Sequence, residues 1–169
     1  MGYIRDDGMV QILGPADCMV TAGTWADTLD NNAWSKRRSA AAASFYLAVF
    51  AKLLQHADDQ KGSYLTSIDL YWKVGTAAVT SLAATVNLFR LPADAAAFEA
   101  PVSQDFTYDD GHNTAGERAT ADEHKMTLTL DAPIWISDDE LLVVELAVDA
   151  AAGSVFDWYG AAFNFTLRL

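Results

Sequence analysis

The sequence is poor in the residues that support metal, redox and nucleic-acid chemistry. Its 169 residues contain one cysteine, Cys18, which excludes an intrachain disulfide and a multi-cysteine metal site. Only 11 lysines and arginines stand against 23 acidic residues, giving a net charge of −12. Because nucleic-acid phosphates are bound by clustered basic side chains, we expect no nucleic-acid partner.

Long apolar runs and processing signals are also lacking. The longest apolar candidate, 40–54, is interrupted by Ser44 and Lys52 and falls short of the roughly 18 residues that a membrane span requires. The first residues lack the basic region and apolar run of a secretory signal. We therefore expect a protein that is made soluble in the cytoplasm and contacts no membrane.

Apolar residues are abundant, 51% of the chain, and they recur with a period of two. In segment 124–131, Met126, Leu128 and Leu130 fall on one face and polar side chains on the other, which is typical of a strand with one wet face. The same alternation recurs in 67–74, 140–149 and 163–169. Weaker strand patterns occupy 19–25, 85–91, 104–108 and 134–136.

Segment 39–55 has two possible interpretations. Its alanines and leucines favour a helix. Read with a period of two, Phe45, Leu47 and Val49 share one face, as they would in a strand. We favour the strand and keep the helix as the alternative.

Seven or eight short strands separated by Gly, Pro and Asp turn signals, without βαβ alternation, predict an antiparallel sandwich. We expect an all-β, jelly-roll-like β-sandwich of about eight strands, forming a single domain over 19–169. Residues 1–18 contain Gly2, Gly8, Gly14 and Pro15 and show little periodicity. They are predicted to be an irregular N-terminal arm that orders on a partner.

The polar cluster at 109–113 and 122–124 is the best candidate for a metal site, because two of the three histidines lie there among carboxylates. The spacing of His112, Glu117 and His124 matches no common metal-binding motif. We therefore predict a solvated loop leading into a strand, with no metal and no cofactor.

Catalytic constellations find little support. Glycoside hydrolysis would need paired carboxylates in a cleft, and the mid-strand acids are predicted to be surface residues: Asp69, Asp105, Glu145 and Asp157. Cys18 has no nearby histidine, and neither a GxSxG elbow nor a phosphate-binding glycine loop is present. We predict that the protein is not an enzyme.

The remaining unusual features suggest a contact surface. Lys36, Arg37 and Arg38 form the only basic cluster, which either is a solvated turn or contacts an acidic neighbour. Aromatics near loops are enriched at interfaces and could equally stack on a glycan. Trp72 and Trp135 are predicted to be core residues. The candidate interface residues are Trp25, Trp34, Lys36, Arg37, Arg38, Trp158 and Tyr159.

Three stretches, 61–78, 115–140 and 148–169, resemble a diverse group of tailed-bacteriophage virion proteins described as head-decoration or capsid-cement proteins. The resemblance runs from about residue 21 onward and involves strand patterns and turns. It implies a β-sandwich subunit on the outer capsid surface, often a trimer, with the major capsid protein and sister subunits as partners. It implies no catalytic residue and no cofactor.

The leading hypothesis is therefore a phage capsid cement or decoration subunit that stabilises the shell. The alternative is a carbohydrate-binding sandwich domain of a phage fibre or receptor-binding protein. An enzyme on the same fold, such as a lyase or glycosidase, ranks third.

Overall fold

The structure is a computed structural model that describes residues 6–30, 32–51, 63–92, 99–136 and 139–168. These residues form twelve strands and one short helix. The strands are β1 (Asp6–Leu13), β2 (Cys18–Val20), β3 (Trp25–Asp30), β4 (Ala33–Arg38), β5 (Ser44–Phe50), β6 (Ser63–Gly75), β7 (Ser81–Arg90), β8 (Val102–Ser103), β9 (Phe106–Tyr108), β10 (Glu123–Trp135), β11 (Glu140–Asp149) and β12 (Val155–Arg168). The one helix in the described part of the chain, α1 (Ala115–Ala119), is too short to cross a membrane.

The strands form two antiparallel sheets that enclose one hydrophobic core. Sheet A has the order β3-β4-β12-β6-β10-β9, and β1 also pairs with β12. Sheet B has the order β2-β5-β11-β7-β8. Within them, β4-β12-β6-β10 and β5-β11-β7-β8 are the two four-stranded halves of a jelly roll. The predicted antiparallel, jelly-roll-like sandwich is confirmed, with four strands added to its eight.

The period-two pattern correctly identified the buried faces of the main strands. On β6, Leu70 and Trp72 are fully buried, whereas Tyr71 between them is partly exposed. The inward faces of β10 and β11 are buried in the same way. Each such side chain contributes about 1.5–3 kcal/mol by leaving water, so this alternation fixes the orientation of each strand toward the core.

Segment 39–55 contains strand β5, so the strand interpretation is confirmed for Ser44–Phe50, and residues 52–55 lie outside the described residues. Phe45, Leu47 and Val49 are buried as predicted. The alanines that favoured a helix precede the strand. A short helix is stable only where tertiary packing supports it. In this segment the neighbouring strands β2 and β11 offer backbone pairing on both sides, which favours a strand.

The predicted irregular arm over 1–18 is wrong for residues 6–13. They form β1, which pairs with β12 from Asp6 opposite Arg168 to Leu13 opposite Ala161. The strand lacks a clean alternation because its outward residues Val10 and Ile12 are apolar and 55% and 78% exposed. Backbone pairing along the open edge of β12 therefore orders β1. Residues 1–5 lie outside the described residues.

Candidate functional site

An open groove of about 650 Å³ lies on the outer face of sheet A. It includes residues from β6, β10 and β12, and the end of β1 closes one side. Its outward-facing side chains include Ile12, Tyr71, Lys73, Glu123, Lys125 and Tyr159. Tyr71 and Lys73 alternate with core residues of β6, so the groove lies on the face of the sheet that is turned away from the core.

A bulge in β12 brings the second tyrosine to this groove. Trp158 pairs with Trp72 and Gly160 with Tyr71, which leaves Tyr159 as the extra residue on the bulged strand. Gly160 has φ +140°, and a methyl group at this position would overlap the carbonyl oxygen of Leu13. The glycine is therefore required both for the backbone conformation and for the close approach of β1.

Two ion pairs between β6 and β10 hold the charged side chains of the groove. Lys73 Nζ lies 3.1 Å from Glu123 Oε1, directly across the strand pair. Lys125 Nζ lies 3.4 Å from Asp69 Oδ2 and 5.8 Å from the centre of the Tyr71 ring. The Asp69 carboxylate, followed by Tyr71, raises the pKa of Lys125. Each ammonium group of the groove thus faces a carboxylate.

A more deeply buried ion pair lies beside the groove, between β4 and β12. Arg37 Nε donates to Asp157 Oδ1 at 2.7 Å, and Nη2 donates to Oδ2 at 2.9 Å. Ser35 Oγ also donates to Oδ1 at 3.2 Å. The prediction that Asp157 is a surface acid is wrong, because only 1% of the residue is exposed. Its carboxylate is held by three hydrogen bonds.

The candidate interface residues do not form one surface. Trp34 is 63% exposed, whereas Arg38 and Trp158 are fully buried. The prediction that these two contact a partner is therefore wrong. Tyr159 lines the groove, and Lys36 is partly buried on β4.

Trp25 and Arg38 both pack against Phe45 near the start of β5. Trp25 Nε1 donates to the carbonyl of Ala22 at 3.0 Å, and its ring packs edge-on against Phe45. The Arg38 guanidinium lies 4.6 Å from the centre of the Phe45 ring. It donates to the carbonyls of Ala41 and Ala43, and burial lowers its pKa. Arg38 thus orders the alanine segment before β5.

The prediction that Trp135 is a core residue is wrong. Trp135 lies near the end of β10 and is 37% exposed. Its ring packs edge-on against Tyr64 of the neighbouring strand, with 5.3 Å between ring centres. The alternation that buries Met126 and Leu128 also buries Ile134 and turns Trp135 outward, so the period of two counted along β10 gives the observed exposure.

The predicted solvated loop at 109–124 is wrong for its two histidines. His112 Nε2 lies 3.2 Å from His124 Nδ1, and His112 Nδ1 lies 2.7 Å from Asp109 Oδ1. His124 Nε2 faces the carbonyl oxygen of Thr120 at 3.0 Å, and the ring stacks on Trp72. All four ring nitrogens thus have protein partners. Among the described residues, no group of three or more His, Cys, Asp or Glu side chains is placed to hold a metal ion.

The acceptors at the two ends of this hydrogen-bond chain set the direction of its outer hydrogen bonds. The Thr120 carbonyl can only accept, so His124 donates from Nε2. The Asp109 carboxylate accepts in the same way from His112 Nδ1. His112 Nε2 and His124 Nδ1 share the hydrogen bond between the two rings, and its donor depends on the tautomer.

Arg118 has a structural role that no sequence pattern indicates. It is 8% exposed, and its guanidinium lies 4.0 Å from the centre of the Tyr108 ring. Nε donates to the Leu82 carbonyl at 2.9 Å, and Nη1 donates to the carbonyls of His112 and Asn113. A single arginine in a polar segment gives no sequence signal for such a role. It joins the 109–119 region to β7.

No protein-family model matches the chain, and no curated protein matches it. Solved structures are similar to the chain at low sequence identity. A family two carbohydrate esterase from Cellvibrio japonicus is 9% identical with a TM-score of 0.44, covering 98% of this chain and 36% of the esterase. A carbohydrate-binding module of the β-sandwich superfamily is 10% identical with a TM-score of 0.41, covering 93% of this chain and 55% of that one.

A low-affinity xylan-binding module from Roseburia intestinalis is 9% identical with a TM-score of 0.37. The match covers 92% of this chain and 94% of the module. The present chain spans about a third of the esterase and about half of the superfamily module. At these identities the similarity concerns the sandwich fold and assigns neither a ligand nor an activity.

Proposed function

We propose that this protein is a non-enzymatic structural subunit of a tailed-phage virion, which binds the outer capsid surface as a cement or decoration protein. The observation that carries the proposal is an exposed apolar pair on the edge hairpin β3–β4. Leu29 and Trp34 lie directly opposite each other, and they are 55% and 63% exposed. Tryptophan is among the residues that dominate binding energy at protein interfaces.

A second exposed apolar surface supports the same proposal. Val10 and Ile12 project outward from β1, and Ile12 and Ala33 of the hairpin line the same groove. Large exposed apolar side chains on neighbouring elements are typical of protein–protein contact sites. The expected partners are the major capsid protein and sister subunits. The sister subunits would form a homotrimer.

The charge of the chain fits assembly from a soluble pool. A net charge of −12 keeps free subunits apart through mutual repulsion. Binding to the capsid would then stabilise the folded subunit by mass action, since only the folded form presents the apolar pair.

Co-sedimentation with undecorated capsids of the source phage tests the proposal. We expect saturable, stoichiometric binding that Leu29→Ala/Trp34→Ala weakens at least about tenfold. Val102→Ala is the matched control, since Val102 is 61% exposed on the edge strand β8 of the other sheet. Absence of co-sedimentation would overturn the capsid assignment.

Light scattering tests the trimer separately. The expected particle has three times the 18.3 kDa mass of the chain. A stable monomer at micromolar concentration would contradict the homotrimer and would leave the capsid experiment to decide the partner.

A further inference from the structure

We propose that the groove on the outer face of sheet A binds a short, uncharged saccharide, with Tyr71 and Tyr159 as stacking residues and Lys73, Glu123 and Lys125 as hydrogen-bonding groups. This activity goes beyond capsid binding, because its stacking and hydrogen-bonding residues lie on β6, β10 and β12, whereas the proposed capsid contacts lie on β1 and β3–β4; Ile12 and Ala33 are the lining residues that the two surfaces share.

The tyrosines supply the apolar part of the site. Tyr71 and Tyr159 come from neighbouring strands, line the same groove and are both partly exposed. A tyrosine presents a flat apolar ring with few rotatable bonds, so it stacks on a sugar ring at a low cost in conformational entropy. The bulge at Gly160 fixes the backbone of Tyr159, and the Lys125 ammonium lies over the Tyr71 ring.

The charged side chains define the chemistry of the ligand. The ammonium groups of Lys73 and Lys125 each face a carboxylate, so the groove presents balanced pairs of charges. Hydroxyl groups suit such pairs, because one hydroxyl can accept from an ammonium and donate to a carboxylate. An anionic polymer would face these carboxylates as well as the −12 charge of the chain. The expected ligand is therefore neutral and rich in hydroxyls.

The size and shape of the groove agree with this ligand. Its volume of about 650 Å³ lies within the range of small-ligand sites in proteins. The groove is open, so either a short oligosaccharide or one part of a longer glycan chain can enter it. The Lys73–Glu123 and Lys125–Asp69 ion pairs place donors and acceptors side by side in this groove.

The groove does not contain Trp34 or Trp158, two of the loop aromatics predicted from the sequence. Trp158 is fully buried on the core side of β12 and cannot stack on a sugar. Trp34 lies on the edge hairpin with Leu29 and belongs to the proposed protein contact. The tyrosines of the sheet face are therefore the residues to test.

The first experiment is a glycan array that carries neutral oligosaccharides of glucose, xylose, galactose and mannose beside uronic, sialylated and sulfated glycans. We expect saturable binding to at least one neutral glycan, which calorimetry with the same free oligosaccharide should confirm. Absence of binding, or binding to acidic glycans alone, would overturn the proposal.

Variants then locate the binding. Tyr71→Ala and Tyr159→Ala should each lower the affinity for that oligosaccharide at least tenfold, and Tyr71→Phe should retain most of it. Tyr46→Ala is the matched control, because Tyr46 is 48% exposed on the strand β5 of the other sheet. An equal loss in Tyr46→Ala, or no loss in the groove variants, would overturn the assignment.

Two further sets of measurements separate loss of saccharide binding from loss of folding and from loss of capsid binding. Glu123→Gln and Lys125→Ala change exposed side chains and leave both tyrosines in place, so they test the groove if a tyrosine variant fails to fold. Both should weaken saccharide binding, and unchanged affinity in both would count against the proposed hydrogen bonds. Tyr71→Ala should co-sediment with capsids like the wild type, so failure of saccharide binding and failure of capsid binding are distinguishable.

Discussion

Arg37 and Asp157 form a two-point ion pair across β4 and β12, in which the carboxylate is almost fully removed from water. The side chain of Asp157 is 2% exposed and that of Arg37 is 34% exposed. A buried carboxylate destabilises the fold when its cationic partner is removed, because its charge is then left uncompensated. The pair therefore couples the β3–β4 hairpin to the central strand β12.

Removing the cation should therefore be costly. We expect Arg37→Ala to lower the free energy of unfolding by about 3 kcal/mol, the low end for breaking a buried pair, since Arg37 keeps part of its side chain in solvent. Urea unfolding followed by circular dichroism measures the change. Arg90→Ala is the control: Arg90 pairs with Asp139 and Glu140 with 54% of its side chain exposed, and its loss should cost less than about 1 kcal/mol. Equal losses would contradict the assignment.

Gly160 should not tolerate a side chain. Gly160 has a φ of +140°, and a methyl group there would overlap the Leu13 carbonyl. We therefore expect Gly160→Ala to lower the free energy of unfolding by about 3 kcal/mol. Hydrogen exchange should also speed up for the amides of β1. Gly8→Ala, on the same strand with open space around it, should change stability by less than about 0.5 kcal/mol. Unaltered exchange in Gly160→Ala would show that β1 does not depend on this approach.

Asp109 should make stability sensitive to acid. Burial raises the pKa of Asp109, but hydrogen bonds from the Thr127 amide and from His112 outweigh it, so that the net pKa is lowered. When the folded-state pKa of a carboxyl is depressed, its full contribution to stability is present at pH values above its ordinary pKa of about 4. This contribution is lost as the pH falls through the folded-state pKa.

Unfolding in urea between about pH 2 and 6 checks this dependence. Asp109→Asn should lower stability at pH 6 and flatten the fall in stability below about pH 4. Asp110→Asn, at the exposed neighbouring position, should keep the wild-type slope. A slope that Asp109→Asn leaves unaltered would contradict the role of this carboxylate.

Cys18 should react slowly. Burial, opposed by Lys36 and assisted by Asp17 and Asp27, raises the pKa of its thiol, and Sγ donates to the Pro15 carbonyl at 3.2 Å. Because the thiolate is the reactive form, iodoacetamide should modify the folded protein at least about fivefold more slowly than free cysteine at pH 8. Mass spectrometry follows the reaction, and unfolding in urea should restore the rate. Equal rates before and after unfolding would contradict the shift.

The sequence could predict the faces of the long strands, because burial follows the period of two wherever one face is wet. The same alternation on β10 places His124 inward with Met126 and Leu128, so its burial was open to prediction. Partners across the sheet could not be predicted. Arg37 lies opposite Asp157, 120 residues later in the chain, and alternation reveals faces without register.

In the candidate groove, too, one residue could be predicted from the sequence and another could not. Tyr71 follows from the outward face of β6, whereas Tyr159 reaches the groove through a bulge that no alternation predicts. Strand β1 was missed because its exposed side chains are apolar, so burial and hydrophobicity do not coincide there.

The central position of β12 also governs the order in which the protein can assemble during synthesis. This strand pairs with β1, β4 and β6, all of which leave the ribosome before it does. Until residues 155–168 emerge, the β3–β4 hairpin and the β6–β10–β9 group have no strand between them, and β1 has no partner. A nascent chain stalled before residue 155 would therefore expose unpaired strand edges, and sheet A would close only as its last strand is released.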